Sequence, residues 1–245
     1  MQFVTSGTHK ENKQLLATMT GEFVQPVRVY YRIQDKGALK RVFSKLKCIE
    51  FDRDRDRQVW LYQKEAKKLK FKNPYSSIPL EYKPLVIGSF FTKKDNEMYL
   101  ETRSIERAIE GIVFFDKYIK RHIAKVEDVC IINRLFSLAE NTAGFGSLFD
   151  KAVIIDPENT IKNFEIMHNQ GKSLGSIFEE QRKEPLPEVE RFPSYYYEDG
   201  IELLKLSLQS RQYVAMQHWK GNIDYTLGDY ITKIVSLDAQ AQENT

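Results

Sequence analysis

Residues 26–46 read PVRVYYRIQDKGALKRVFSKL, and two hydrophobic periods meet in them. Val27, Val29, Tyr31 and Ile33 alternate with Arg28, Tyr30 and Arg32, the period of a strand with one apolar face. After Asp35 the spacing lengthens. Leu39, Val42, Phe43 and Leu46 recur at the interval of a helix face, Lys36, Lys40 and Lys45 fall on the other side, and the Asp35 carboxylate is placed to cap the first turn. A strand followed at once by an amphipathic helix gives an α+β beginning.

Downstream, KCIEF at 47–51 and QVWLY at 58–62 are rich in β-branched and aromatic residues and flank DRDRDR, which predicts a hairpin or meander. EAKKLKFK at 65–72 is basic, and NPYSSIP at 73–79 reads as a loop. A second hairpin is expected from Leu85–Phe91 and Met98–Thr102 across KKDNE, then a helix capped by Ser104 with Ile105, Ile109, Ile112 and Ile119 as its buried stripe. Beyond it the spacing favours helices at Val126–Glu140, Leu148–Ile155, Pro157–His168, Leu174–Lys183, Asp199–His218 and Tyr225–Leu237, although the VCII and AVII runs are short enough for strands. Arg182–Ser194, with three prolines among acidic residues, reads as a flexible connection. Met1 to about Gly21 reads as an arm and the last eight residues as a frayed tail.

The expected fold class is therefore α+β: a small mixed or antiparallel sheet with a packed helix in the N-terminal half, and a mostly α-helical C-terminal half. The domain reading is a basic α+β module over 1–103 joined to an acidic helical module over 104–245, with one interleaved domain as the alternative.

Charge follows the same division. The net charge of the 245 residues is +3, but residues 1–125 hold 26 Lys+Arg against 15 Asp+Glu while 126–245 hold 11 against 19. The excess is densest between Arg28 and Lys72, with 15 basic and 6 acidic residues. A polyanion is the natural partner to test there, and the acidic helical half is the expected face for a protein partner.

Chemistry-bearing motifs fail on spacing. GKS at Gly171–Ser173 lacks the upstream glycine of a phosphate loop, since Ile166 stands there, and GFGSLF at 144–149 has Phe149 where a dinucleotide fingerprint needs glycine. His9, His122, His168 and His218 form no i, i+4 ligand pair, and Cys48 and Cys130 are too far apart in sequence for a CxxC unit. Neither cofactor nor metal is expected, catalysis is left open with a leaning against it, and cysteine usage together with the absence of an apolar leader or 18-residue apolar run leads to a cytoplasmic expectation without membrane contact.

One constellation remains. If the early strands share a sheet, with Ile49, Phe51, Val59 and Leu61 facing the helix alongside Val27 to Ile33, the other face carries Arg28, Tyr30, Arg32, Trp60 and Tyr62. Rings stack on unpaired bases and guanidinium groups hold phosphates, so this face suits single-stranded RNA or DNA, with Arg53, Arg55, Arg57, Lys67, Lys68, Lys70 and Lys72 extending the positive surface. The competing arrangement packs Trp60 and Tyr62 beneath the later helices. The strand, helix, strand, strand order resembles part of an RNA-recognition or ferredoxin-like unit, although QVWLYQ lacks that octapeptide's glycines and basic leader. The functional expectation is a non-catalytic nucleic-acid-binding protein. The alternatives are an assembly subunit and an enzyme with an unfamiliar site.

Overall fold

The computed structural model describes residues 14–140 and 145–243, the last seven as backbone. Met1–Lys13 of the expected arm, Gly144 of the GFGSLF motif and the final two residues of the expected tail lie outside that range. The chain opens with β1 (Val27–Ile33), α1 (Lys36–Lys45), β2 (Ile49–Asp52) and β3 (Arg57–Tyr62), as the periods predict. Asp35 caps α1, its carboxylate accepting from the Ala38 N–H at 2.8 Å. Next come β4 (Leu85–Thr92), β5 (Glu97–Thr102) and α2 (Ile105–Asp116), which Ser104 caps through the Arg107 N–H.

The second half departs from expectation. Val126–Glu140 is not a helix: Ala124–Ile132 form β6. After α3 (Phe145–Phe149), Val153–Ile154 form a short β7; α4 (Pro157–Asn169) and α5 (Leu174–Arg182) follow. The proline-bearing segment read as a flexible connection contains β8 (Val189–Pro193). Then come α6 (Tyr196–Asp199), α7 (Ile201–Trp219) and α8 (Leu227–Glu243).

All eight strands form one mixed sheet in the order β2-β3-β4-β5-β1-β6-β8-β7, with only the β7–β8 pair parallel. The fold is α+β, but the sheet is not small. Nor does residue 103 divide it, because β6, β7 and β8 come from the later half and β6 pairs directly with β1.

A register shift explains why β6 escaped the periodicity reading. Val29 faces Val129, but Tyr31 faces Val126, so an extra residue bulges out of β6. Ala124 and Val126 therefore point to the same core as Val129 and Ile131, a spacing that fits no uninterrupted strand. A second shift, between Trp60 facing Gly88 and Leu61 facing Val86, puts both Ile87 and Gly88 on the core side of β4.

One sheet face carries the main core. Val27, Val29, Tyr31 and Ile33 pack there with Leu39 and Phe43 of α1, Ile105, Ile112 and Phe115 of α2, and Leu204 and Leu208 of α7. The other face carries a smaller cluster in which Phe145 and Phe149 of α3 cover Tyr30, Cys130 and Ile132. By contrast, α4 buries no side chain, and α8 exposes Ile231, Ile234 and Val235. Among the described residues no helix is long and apolar enough to cross a membrane.

Candidate nucleic-acid interface

The aromatic half of the expected binding face is inside the protein. Trp60 and Tyr62 are fully buried and point to the helical side of the sheet, not outward with Arg28 and Tyr30. The hairpin decides this. Asp52 pairs with Arg57 across a four-residue loop, so Ile49 stands opposite Trp60 and shares its face, whereas an outward Trp60 requires Ile49 to share a face with Val59. The indole lies edge-on to Phe115 at 4.9 Å and 5.6 Å from Phe114. It occupies a slot that only glycine leaves open, since a Cβ on Gly111 or Gly88 would come within 3.2 Å or 3.1 Å of the ring. Tyr62 packs on Phe71 and Tyr75, both at 5.3 Å, and its hydroxyl donates to the Leu69 carbonyl at 3.2 Å.

Arg28, Tyr30 and Arg32 do share the opposite face, but its cations are already matched. The Arg28 guanidinium donates to Glu101 at 2.8 Å and is sandwiched between the rings of Tyr99 at 4.4 Å and Phe149 at 4.2 Å. Burial by itself would lower its pKa; the charge of Glu101 and their hydrogen bond outweigh that and raise it. Arg191, from β8, reaches Asp128 at 2.7 Å and Glu97 at 2.9 Å while lying 3.7 Å above the Tyr30 ring. Arg32 pairs with Glu127 at 3.1 Å, and Arg57 with Asp52 at 2.9 Å. Arg28 and Tyr30 are buried as well. A phosphate arriving here would have to displace a carboxylate from each guanidinium.

The remaining cations stand elsewhere. Lys36, Lys40, Arg41, Lys45, Lys47, Arg53, Arg55, Lys64, Lys67, Lys68, Lys70 and Lys72 are all exposed, and none forms a salt bridge with a described residue. Lys36, Lys40, Arg41 and Lys45 lie on α1, Arg53 and Arg55 in the loop between β2 and β3, and Lys64 to Lys72 on the segment after β3, whose far end passes Gly21 and the charge of Glu110 on α2. The short 3₁₀ turn Lys64–Lys68, which buries Ala66, is tied to the link between α1 and β2: Gln63 donates to the Lys47 carbonyl at 3.3 Å, and the Lys47 N–H to Glu65 at 3.4 Å. Lys45, Lys47, Lys64, Lys67 and Lys68 therefore gather at one end of edge strand β2, and Arg53 and Arg55 occupy the loop at its other end, a strand length of about 13 Å away. Lys67 and Lys83 both approach the Tyr75 ring, at 4.5 Å and 4.3 Å.

Sequence reading included Arg53, Arg55, Lys67, Lys68, Lys70 and Lys72 but passed over Lys36, Lys40, Arg41, Lys45, Lys47 and Lys64. All six lie within the Arg28–Lys72 stretch whose excess charge points to a polyanion, and Lys36, Lys40 and Lys45 occupy the outward positions of the helix period.

Both thiols are free and buried, and burial, the largest cause, pushes each up to about 12. Among the described residues no group of three or more His, Cys, Asp and Glu side chains is arranged to hold a metal ion. His168, in the last turn of α4, bonds to the Lys172 carbonyl at 3.2 Å, and His218, in the last turn of α7, to the Tyr225 carbonyl at 2.8 Å. An open surface hollow between Arg32, Lys93, Lys94, Asp95 and Glu97 mixes both charges. No protein-family model matches the chain, and neither a curated protein nor a solved structure matches it, so function has to be argued from the residues themselves.

Proposed function

We propose that the protein is a non-catalytic nucleic-acid-binding protein that grips the phosphate backbone along the basic edge formed by α1, the ends of β2 and the segment Lys64–Lys72. The carrying observation is the segregation of charge: the sheet-face arginines are each held by carboxylates, while twelve exposed cations between Lys36 and Lys72 lack a salt bridge with a described residue. Unpaired surface cations bind a polyanion chiefly by releasing its condensed counterions, and this needs no ring and no particular base. Trp60 and Tyr62 contribute to the core and not to stacking, so contact is directed to phosphates and little base preference is expected.

Fluorescence anisotropy with labelled single-stranded and duplex oligonucleotides over a salt series tests the reading. Affinity should fall steeply with salt. Replacing Lys64, Lys67 and Lys68 together with Ala should make the log–log slope shallower by about 2 on single strands and about 3 on duplex, without lowering the melting temperature appreciably. Undetectable binding near physiological salt, or binding indifferent to salt, would overturn the proposal and turn attention to a protein partner for the helical half.

A further inference from the structure

The limb of the basic edge that carries Lys70 and Lys72 has no helix or strand of its own, so something else must hold it. Phe71 anchors it from below, edge-on to Tyr62. At its end Asn73 is fastened twice to an N-terminal turn: its backbone N–H donates to the Thr20 carbonyl at 2.8 Å, and its side-chain amide donates to the Met19 carbonyl at 3.1 Å. That turn, Thr18–Glu22, is closed by the Thr18 N–H on the Glu22 carbonyl at 2.8 Å and by Gly21 at φ +93°. Gly21 also lies against the limb, where a Cβ would come within 3.1 Å of Asn73 and 3.2 Å of Lys72.

The turn is fixed in its own right by a buried polar latch. Thr20 and Glu22 point inward; the Arg107 guanidinium of α2 donates to the Thr20 hydroxyl at 2.6 and 3.1 Å and lies 3.6 Å from Glu22, with both charged side chains 3% exposed. The Thr20 hydroxyl in turn donates to Glu22 at 2.6 Å. Burial dominates at Arg107, lowering its pKa to about 10. Such a pair is costly to desolvate and of little net stabilising worth, but removing either partner leaves a buried charge uncompensated, which ties the turn to α2.

We propose that the turn Thr18–Glu22 is the positioning element of the basic edge: latched to α2 through Glu22 and Arg107, it holds Lys70 and Lys72 through Asn73 in the place where they meet phosphate. This rests on the nucleic-acid reading above. Gly21 and Asn73 are positioning residues that touch no ligand.

The test uses Gly21→Ala and Asn73→Ala in the full chain beside Lys70→Ala/Lys72→Ala, with a labelled single-stranded 20-mer. The lysine variant should reduce the salt slope by about 1.4, so that the affinity lost between 50 and 200 mM salt becomes about sevenfold smaller. Gly21→Ala should move in the same direction although it removes no charge, with Asn73→Ala between it and the unaltered protein, and neither should add to the effect when both lysines are already absent. An unaltered slope in Gly21→Ala and Asn73→Ala, beside a reduced slope in the lysine variant, would overturn the positioning role while leaving the nucleic-acid reading intact. Should the unaltered protein fail to bind at all, that reading falls by itself. The hold on the limb is then read from limited trypsin digestion: faster cleavage after Lys70 and Lys72 in both positioning variants, relative to cleavage after Lys45, supports it, and an equal ratio overturns it.

Discussion

The outer face of the sheet and its basic edge use their cations in opposite ways. On the face, carboxylates answer the guanidinium groups: Arg28 meets Glu101 of neighbouring β5, Arg57 meets Asp52 of neighbouring β2, and Arg191 meets Asp128 of neighbouring β6 and reaches past β6 and β1 to Glu97 of β5. These pairs are partly withdrawn from water, so they act as structure. At the edge, lysines on a helix, a 3₁₀ turn and an extended limb have few strand neighbours to answer them, and their ammonium groups stay exposed. The face arginines are built into the sheet by cross-strand carboxylates, whereas the nine lysines and three arginines of the edge lack a salt bridge with a described residue.

The widest test of this contrast is Trp60, once a candidate for the surface and now in the core. Trp60→Ala should cost about 3–5 kcal/mol in denaturant unfolding, whereas Trp60→Phe, which keeps a ring between Gly88 and Gly111 and removes a buried N–H without a hydrogen-bond partner, should cost far less. In whichever variant folds, nucleic-acid binding measured well below its melting point should be unchanged. A next, smaller effect separates face from edge directly. Arg28→Ala should destabilise by about 2 kcal/mol, through loss of the Glu101 bond and two ring contacts, with no change in salt slope. Arg53→Ala/Arg55→Ala should stay within about 0.5 kcal/mol of the parent and yet make the slope shallower. Reversed outcomes would mean that the face, and not the edge, meets the ligand.

The smallest expected effect concerns pH. Burial, helped by the charge of Glu22, raises the pKa of Glu106 at the start of α2. The folded protein therefore keeps this proton to higher pH than the unfolded chain does. Its contribution to stability is fully present below the ordinary carboxylate range and is lost as pH rises through the folded value. Unfolding free energies measured across that window should decline less steeply with pH in Glu106→Gln than in the parent.

Much of the fold was legible, for local reasons. Capping carboxylate, apolar stripe and turn residues all lie within a few positions of one another, so β1, α1, both hairpins and α2 emerge from short windows. In the later half VCII and AVII were visible as possible strands, VCII lying in β6 and AVII containing β7, but the first part of β6 and all of β8 were hidden because their evidence is not local. Glu127 and Asp128 interrupt β6 at its bulge, and β8 contains Glu190 and Arg191, whose partners Arg211 and Asp128 are 21 and 63 positions away. Of the candidate interface, the lysines and the DRDRDR tip were visible as charge, but the side on which Trp60 emerges depended on counting four residues in a loop. Hydrophobicity could not make that count, because Val59 and Leu61 are as apolar as the rings beside them.

The position of β1 carries a consequence for how the chain is made. It lies between β5 and β6, and about 100 residues separate it from β6, so a ribosome adding 5–20 residues per second leaves one side of β1 without its neighbour for about 5–20 s. Throughout that interval the nascent chain presents an open row of backbone donors and acceptors flanked by valine and tyrosine, a template for pairing with the wrong molecule.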